Sequence, residues 1–359
     1  MPATDIANIR LISQQIVSTN FKSPKDIVKW MGAMQAQDYG MVKWAIGLRF
    51  PKATVKMIEA AIDSGEIIRT HLLRPTLHFV PADDIYWMLS LTAPRIKASM
   101  KSRNQQLELT EKKFSESNNI IEKALSSRGH LTRKELVSEL NRSKIATDDN
   151  RASHILLNAE LDRIICSGRM MGKQTTYALL SERVTEPKLF NKEEALHKLA
   201  KKYFDSHCPA TLPDFVWWSG LSVSDAKHAL EMIKDHFISE KINLQEYWFP
   251  RSFSFPKNYK QSLFLLPAFD EFLISYKDRS AAIMLKHQAK AFSKNGIFWP
   301  TIVINGQVRG IWKREIKKDK MIVEANFFES PDEITKAMSE KAAKELGHFL
   351  NHEIQMVYR

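Results

Sequence analysis

The 359-residue sequence lacks the segments that mark secreted, membrane and metal-binding proteins. Its two cysteines, Cys166 and Cys208, have no CxxC or Cys/His neighbour, so neither a disulfide framework nor a zinc site is predicted. No run reaches the roughly 18 apolar residues of a transmembrane helix, and the amino terminus, MPATDIANIR, has no apolar core of a signal peptide. We therefore expect a cytoplasmic protein that binds no metal and no membrane.

Motifs of several large enzyme classes are also missing. The chain has no GxGxxG, GxxxxGK, HExxH or GxSxG sequence, which leaves dinucleotide-binding, P-loop, zinc-protease and α/β-hydrolase functions without support. No cofactor is expected, and no feature indicates an obligate protein partner.

What the chain does contain is an excess of positive charge near its carboxyl end. Lysine and arginine total 53 against 41 acidic residues, a net charge of +12. Between residues 277 and 320 lie eleven basic and three acidic residues, so this stretch alone carries +8. A solvated surface is one explanation. A surface that contacts DNA phosphates is the other, and it makes Arg279, Arg309, Lys313 and Arg314 candidate DNA contacts.

The chain is organised as a repeated pattern followed by a different module. Up to about residue 250 the sequence shows three times the same order, two or three short amphipathic helices and then two strand-forming segments, which is typical of winged-helix modules. Beyond it, aromatic and β-branched runs separated by turns predict a small β-barrel with a closing helix. We predict an α+β protein with winged helices at 1–95, 96–185 and 186–255 and the barrel module at 256–359.

Local signals support individual elements of this organisation. Thr132 and Glu135 form a capping-box sequence at the start of a helix. Asn305-Gly306, between TIVI and QVRGIW, is the strongest short hairpin signal in the chain. The closing helix is expected to have Pro331 as its first residue.

The second copy of the pattern carries the clearest features for DNA recognition. Its third helix, DNRASHILLNAELDRI, precedes the predicted hairpin RIICSGRMMGKQTTYALL, as a recognition helix precedes a wing. Arg151 in that helix, and Arg169 and Lys173 at the tip of the hairpin, are candidate DNA contacts. Solvated charges on a wing are the alternative.

A polar strand face is predicted in the first copy of the pattern. Arg74, Thr76 and His78 recur at period two and share one face of a strand, with apolar residues on the other face. Polar side chains are costly to bury unpaired, so this face is expected to line a groove or meet water. The three residues are candidate DNA contacts, and an ordinary solvated strand is the alternative.

Two glutamines stand at the end of the predicted second helix, in the sequence Gln35-Ala36-Gln37. Their spacing alone means little, but the strings MGAMQAQDYGMVKWAIGLR, IIRTHLLRPTLHFVPADDIYWML, LLPAFDEFLISYKDR and PTIVINGQVRGIWKR follow one another in a specific order. In these strings the chain resembles the bacterial winged-helix DNA glycosylases of the AlkZ/YcaQ type. The resemblance extends from about Ile6 to the C-terminal helix.

The resemblance implies three tandem winged helices and a C-terminal β-barrel that cup duplex DNA and remove alkylated purines, in some members unhooking interstrand crosslinks. It assigns the chain to the AlkZ-like branch, whose motif is Gln, an aliphatic residue and Gln, and it makes Gln35 and Gln37 the catalytic residues. Ala36 is smaller than the usual aliphatic residue, which bears on the size of the lesion. The expected partner is double-stranded DNA with alkylated bases, and the expected location is the cytoplasm, in association with the nucleoid.

A site of two neutral amides suits this chemistry. A purine alkylated at N7 or N3 already carries positive charge and departs readily, so little acid catalysis is needed. A carboxamide oxygen can hold water and tolerate an oxocarbenium-like sugar, although it cannot deprotonate water as a carboxylate could. We expect Gln37 to hold the water and Gln35 to support the sugar or the water from the other side. No lysine is singled out beside the motif, which favours simple hydrolysis over Schiff-base chemistry.

Two further pairs of residues have alternative roles. Asp270 and Glu271, in PAFDEFL, are adjacent carboxylates of the kind used in glycoside hydrolysis. A structural role is favoured, in which Asp270 fixes the turn or pairs with Arg279. Trp217 and Trp218 lie in a helical pattern, and at least one is expected in the core, with base stacking as the alternative.

Two other functions stay open from the sequence. A non-enzymatic winged-helix transcriptional regulator fits the helices and the basic stretch equally well, because these features report DNA contact rather than chemistry. Such a regulator would show a large affinity gap between one operator and random DNA. An interaction scaffold built on the β-barrel would show no salt-dependent affinity for DNA.

Overall fold

The computed structural model describes residues 3–185, 188–254, 261–317 and 320–359. The α-helices are α1 (Ala3–Ser13), α2 (Pro24–Met31), α3 (Tyr39–Leu48), α4 (Val55–Asp63), α5 (Ile85–Gln106), α6 (Glu111–Arg128), α7 (Arg133–Arg142), α8 (Arg151–Leu161), α9 (Leu180–Arg183), α10 (Lys192–Ser206), α11 (Leu212–Ser219), α12 (Val223–Ile233), α13 (Glu271–Ile274), α14 (Leu285–Ala291) and α15 (Glu333–Leu350). The strands are β1 (Met34–Gln35), β2 (Ile67–Leu72), β3 (Thr76–Pro81), β4 (Leu131–Thr132), β5 (Ile165–Ser167), β6 (Thr176–Leu179), β7 (Phe237–Ile242), β8 (Gln245–Pro250), β9 (Leu263–Leu266), β10 (Thr301–Ile304), β11 (Gln307–Lys317), β12 (Lys320–Phe327) and β13 (Glu353–Tyr358). Within the described ranges, no helix combines the length and the apolar sequence that crossing a bilayer would need.

The chain divides into two compact units. The first consists of Met1–Glu59, His197–Trp218 and Ser222–Arg359, and the second of Ala60–Leu196 and Ser219–Leu221. The four-part division made from the sequence stays a prediction. Its boundary at residue 95 lies inside the long helix α5.

The second unit contains a clear winged-helix order. α6, β4, α7, α8, β5 and β6 follow one another, and the strands form a sheet in the order β4-β6-β5. The predicted capping box is confirmed, because the Glu135 N–H donates to Thr132 Oγ1 at 3.3 Å and the Thr132 N–H donates to Glu135 Oε2 at 2.7 Å. Ile121, Leu136 and Ile155, one from each helix, are fully buried in one core cluster. The apolar faces of three helices thus close over one small sheet.

Two other segments follow a similar order along the chain. α2, α3 and α4 precede the antiparallel hairpin β2–β3, in which Thr70 pairs with His78. α10, α11 and α12 precede the antiparallel hairpin β7–β8. This is the order read from the repeated sequence pattern, and the number of winged-helix modules stays a prediction.

The first unit contains a five-stranded sheet in the order β13-β12-β11-β10-β9. Its neighbouring strands are antiparallel except β12 and β13, which are parallel. The small barrel predicted for 256–359 is a wrong prediction for the described residues, in which β9 and β13 are the two edges of an open sheet. Strand β13 was not predicted from the sequence. It pairs in parallel with β12 through a crossover that contains α15, a long-range pairing that local patterns do not report.

The two local signals in this region have different outcomes. The Asn305-Gly306 turn is confirmed: it connects β10 to β11 with φ values of 49° and 76°, the left-handed values that a type I′ turn requires. The start of α15 was predicted too early. Asp332 caps this helix by accepting a hydrogen bond from the Thr335 N–H at 2.7 Å, so Pro331 lies before the N-cap.

A buried ion pair connects α3 to the segment after β9 in the first unit. Arg49 is fully buried, and its two terminal nitrogens each donate to a different oxygen of Asp270 at 2.8 Å. Arg49 also donates to the carbonyl and the side chain of Gln14, at 2.9 and 3.0 Å. Asp270 in turn accepts from the Phe272 N–H at 2.9 Å and caps α13. The predicted role of Asp270 in the turn is confirmed, while its charge partner is Arg49 and not Arg279.

Replacing Asp270 with Ala should destabilise the protein strongly. The variant leaves the buried guanidinium of Arg49 without its anion, a change that typically costs about 3–5 kcal/mol. Urea unfolding followed by circular dichroism measures the free energy of unfolding.

The matched control is Glu231→Gln, which removes an ion pair with Lys234 whose side chains are about half exposed. Water already solvates both of these charges, so the unfolding midpoint should barely change. Equal losses in the free energy of unfolding of the two variants would contradict the conclusion that burial makes the Arg49–Asp270 pair important for stability.

Candidate active site around Gln35 and Gln37

The two glutamines lie between helices α2 and α3, not at the end of a helix as predicted. Helix α2 ends at Met31 because Gly32 adopts a φ of 79°, which reverses the chain. The chain then extends through β1, where Gln35 is located. The sequence pattern continued the helix too far because one glycine, rather than a change in apolar periodicity, ends it.

The side chains of Gln35 and Gln37 form a bonded pair with opposite exposure. Gln35 is 4% exposed and Ala36 is fully buried, whereas Gln37 is exposed. Gln35 Nε2 donates to Gln37 Oε1 at 2.7 Å. The pair therefore has one member in the protein interior and one that faces solvent.

A buried glutamate holds the backbone beside this pair. The Gln35 N–H donates to Glu271 Oε1 at 2.6 Å, and the other carboxylate oxygen accepts from the Ser275 hydroxyl. Glu271 is 2% exposed. A residue 236 positions away in the sequence thus accepts a hydrogen bond from the strand that carries the motif.

A histidine lies on the far side of the same carboxylate. His207 Nε2 is 3.8 Å from Glu271 Oε2, and His207 Nδ1 is 2.7 Å from Ser206 Oγ. The ring is fully buried and stacks on Tyr203 with 4.8 Å between ring centroids. Burial lowers the pKa of His207, since its charged form would lose hydration, although the Glu271 carboxylate opposes this shift.

Glu271 is ionised despite its burial. Burial by itself would raise the pKa of Glu271, but the interactions with His207, Ser275 and the Gln35 N–H outweigh it and lower the pKa to about 2. The site therefore contains a fixed negative charge directly behind the two neutral amides.

An arginine from the sheet approaches the residues that follow the motif. A methyl group at Gly40 would lie 3.1 Å from Arg314 Nη2, and Asp38 caps α3 by accepting from the Gly40 and Met41 N–H groups at 3.0 and 2.9 Å. Arg314 Nη1 is buried and has no hydrogen-bond partner among the described residues. Burial lowers the pKa of Arg314, an effect that the charge of Asp38 opposes.

Other basic residues of the C-terminal stretch have acidic partners in the folded chain. Lys313 pairs with Glu324 at 3.1 Å. Lys286 pairs with Glu329 at 3.7 Å. Both glutamates lie outside the stretch whose net charge is +8. Its positive charge is therefore partly compensated by acidic residues that the fold brings beside it.

Arg279 occupies an aromatic environment in the same unit. Its guanidinium lies 5.3 Å from the ring centroid of Trp217 and 5.1 Å from those of Phe292 and Phe298. Its Nε donates to the Leu273 carbonyl at 2.9 Å. These contacts hold Arg279 in place within the fold. DNA contact by Arg279 and by the partly buried Arg309 stays a prediction.

The two tryptophans divide between core and surface. Trp218 is fully buried, which confirms that at least one belongs to the core. Trp217 is 41% exposed and donates from Nε1 to the Ile274 carbonyl at 2.8 Å.

In the second unit, the predicted polar strand face is largely withdrawn from solvent. His78 is 1% exposed, and its Nδ1 lies 2.9 Å from the Thr76 carbonyl. Arg74 is half-buried and lies in the turn between β2 and β3. DNA contact by Arg74, Thr76 and His78 stays a prediction, and His78 is the least accessible of the three.

The predicted recognition-helix and wing residues of the second unit differ in their exposure and in their contacts with the rest of the chain. Arg151 donates from Nε to the Leu107 carbonyl at 2.9 Å and pairs with Asp148 at 3.0 Å. Arg169 and Lys173 are exposed between β5 and β6. Arg169 also donates from Nε to the Asp63 carbonyl at 3.2 Å. DNA contact by Arg151, Arg169 and Lys173 stays a prediction.

Sequence reasoning identified the glutamines but not the residues behind them. Glu271 was noted only as half of a carboxylate pair, and His207 was not singled out. No local signal marks them, because each is separated from the motif by more than 150 positions in the sequence.

Comparison with known proteins gives the class of this chain. Residues 28–349 match the AlkZ-like DNA glycosylase family. A relative, the interstrand DNA cross-link repair glycosylase of Streptomyces sahachiroi, is 21% identical over 325 residues, covering 84% of each chain. The solved structure of the Streptomyces sahachiroi DNA glycosylase AlkZ matches with a TM-score of 0.81 and 18% identity, covering 99% of both chains. The chain belongs to the AlkZ-like DNA glycosylase family, which confirms the resemblance and the enzyme class predicted from the sequence.

Glu271 should contribute stability that depends on pH. Because its pKa falls from 4.5 to about 2 on folding, the contribution is complete above pH 4.5 and is lost as the pH falls towards 2. Glu271→Gln should therefore be less stable than the wild type at about pH 6, and the difference in free energy of unfolding should shrink below pH 4.5. Urea unfolding of both proteins across this range measures the difference. A difference that does not change with pH would contradict the assignment.

Proposed function

We propose that this chain is a monofunctional DNA N-glycosylase that hydrolyses the N-glycosidic bond of cationic purines alkylated at N7 or N3. The observation that carries the proposal is the bonded carboxamide pair, in which the buried Gln35 donates to the exposed Gln37 at 2.7 Å. Membership in the AlkZ-like family supports the reaction class. The finer fold, three winged-helix modules along the chain, is part of the same proposal.

The leaving group decides what such a site has to supply. When the glycosidic bond breaks, its electron pair passes to the purine nitrogen and neutralises the charge of the alkylated base, so no acid is needed. The oxygen of a water molecule forms the new bond to the anomeric carbon, and its proton leaves to solvent. An uncharged base would need protonation, which a carboxamide cannot provide. Two amides therefore favour cationic lesions.

The hydrogen bond between the amides suggests that the two side chains have different roles. A carbonyl oxygen has two lone pairs. One lone pair of Gln37 Oε1 accepts from Gln35, and we propose that the other accepts from the attacking water. Gln35 would then act chiefly by orienting Gln37. This matters because small errors in the placement of a reacting group cost large factors in rate.

We propose that Arg314 is a principal phosphate contact beside this site. Its guanidinium is only partly buried, and Nη1 has no partner among the described residues, so the group keeps a charge-assisted donor that a phosphate oxygen could use. Lys313, on the same strand, already pairs with Glu324. The further proposed DNA contacts are Arg74, Thr76, His78, Arg151, Arg169, Lys173, Arg279, Arg309 and Lys313.

Duplex DNA with alkylated bases is the proposed substrate, and interstrand crosslinks are proposed among its lesions. The relative from Streptomyces sahachiroi is named for interstrand cross-link repair. Because Ala36 is fully buried, we infer that its small size affects packing beneath the motif more than the space for the lesion.

A transcriptional regulator is the less favoured function. Basic residues and winged-helix order would serve it equally well, but DNA binding alone gives no role to an exposed glutamine held by a buried one. Two results would favour the regulator: tight binding to one operator sequence over random DNA, and no release of alkylated bases from DNA.

Replacing either glutamine with Ala should reduce release of N7-methylguanine from duplex DNA. Gln37→Ala should lose most activity, about 100-fold or more, because the water loses its acceptor. Gln35→Ala should lose less, since Gln37 keeps its acceptor oxygen and loses only the hydrogen bond from Gln35. Chromatography of the released base under single-turnover conditions measures both.

Gln105→Ala is the control, since it removes an exposed glutamine on α5. It should release base at the wild-type rate. Full activity in both Gln35→Ala and Gln37→Ala would refute the assignment of the site.

Arg314→Gln should weaken DNA binding more than Lys313→Gln. Losing one phosphate contact lowers the slope of the logarithm of affinity against the logarithm of salt concentration by about 1. Lys313 is 69% exposed and already paired, so its loss should change the slope less. Fluorescence anisotropy with a short duplex from low to moderate salt gives both slopes. Equal slopes in the two variants would remove the special role of Arg314.

A further inference from the structure

Glu271 differs from the neighbouring buried carboxylate of Asp270 in the groups that bind it. Asp270, its neighbour in the sequence, shares its charge with Arg49 through two bonds of 2.8 Å. The Glu271 carboxylate is instead bonded by the Gln35 N–H and the Ser275 hydroxyl, with the His207 ring beyond. Its bonding partners are therefore uncharged groups.

We propose that Glu271 is a positioning residue for the glycosylase reaction, whose buried carboxylate fixes the backbone of Gln35 and so the orientation of the Gln35–Gln37 pair. The inference rests on the proposed function of that pair. It adds a charged residue behind a site in which both proposed catalytic side chains are neutral.

The geometry connects the carboxylate to the exposed amide in two steps. The first is the 2.6 Å bond from the Gln35 N–H to Glu271 Oε1, and the second is the 2.7 Å bond from Gln35 Nε2 to Gln37 Oε1. A bond to an ionised acceptor is shorter and about twice as strong as one between neutral groups.

The surroundings of Glu271 also restrict its own movement. Ser275, one turn away along the chain, donates to the second oxygen. Ser275 and His207 are both fully buried, and the Ser275 carbonyl accepts from the Tyr203 hydroxyl at 3.1 Å. The carboxylate is therefore held in one orientation, as a supporting residue of a precise site needs to be.

The test separates the charge of Glu271 from its size. Glu271→Gln keeps the length and an acceptor oxygen but removes the charge, and Glu271→Asp keeps the charge but shortens the reach. We expect Glu271→Gln to lower the single-turnover rate of N7-methylguanine release about 10- to 100-fold, with the affinity for the same duplex within about twofold of wild type. Glu271→Asp should retain more activity than Glu271→Gln.

Asp214→Asn is the matched control in the same unit. Asp214 is 1% exposed and accepts from the N–H groups of Thr211 and Lys277 at 3.1 and 2.8 Å. Its neutral variant should lose stability as Glu271→Gln does but release base at close to the wild-type rate. Equal rate losses in Asp214→Asn and Glu271→Gln, or a wild-type rate in Glu271→Gln, would overturn the proposal.

A second measurement does not depend on catalysis. The amide proton of Gln35, followed by NMR, should resonate far downfield in the wild type and move upfield in Glu271→Gln as the bond weakens. An unchanged resonance overturns the positioning role, whereas a wild type that releases no alkylated base refutes the proposed function instead.

If Glu271→Gln does not fold, Ser275→Ala decides the question, since it loosens the carboxylate without removing its charge. A severalfold slower rate at unchanged affinity supports the proposal, and wild-type rate and affinity overturn it.

Discussion

The bond between the Gln35 N–H and the Glu271 carboxylate connects two distant parts of the chain at the point where the site is formed. It requires an ionised group in the protein interior, and such a group is tolerated only where hydrogen bonds replace its lost hydration. Ser275 and the Gln35 amide supply those bonds. Around this contact, Arg49 and Asp270 neutralise each other, so a second charge is buried without being left unpaired. The buried carboxylates of Asp270 and Glu271 thus both have hydrogen-bond partners that replace their lost hydration.

The fold places acidic residues beside several of the basic residues in the C-terminal stretch. In the sequence, the stretch from residue 277 to 320 appears as a block of +8. In the structure, Lys313 and Lys286 lie beside glutamates contributed from outside the block. The fold brings residues from different parts of the chain together, and opposite charges about 3–4 Å apart partly offset one another. The proposed phosphate contact therefore concentrates on Arg314.

Several features were predictable because their causes are local. The Thr132–Glu135 capping box and the Asn305-Gly306 turn depend on side chains and backbone angles within a few residues. The small barrel was a wrong prediction for the described residues, for the opposite reason. Alternating apolar strands indicate a sheet, but whether its edges meet depends on pairings such as that of β13 with β12, which are distant in the sequence. The end of α2 at Gly32 also has a local cause, but it was predicted wrongly. The apolar pattern continues past this glycine, whereas the helix does not.

The sequence by itself determined the class of this protein and its glutamine motif, because the order of several specific strings is a property of the chain alone. It also determined an excess of positive charge, the Thr132–Glu135 capping box and the Asn305-Gly306 turn. Only the tertiary structure decided that Gln35 is buried and Gln37 exposed, that the two are bonded, and that Glu271 lies behind them. Burial and hydrogen bonding depend on which distant segments meet, and composition and spacing do not report that.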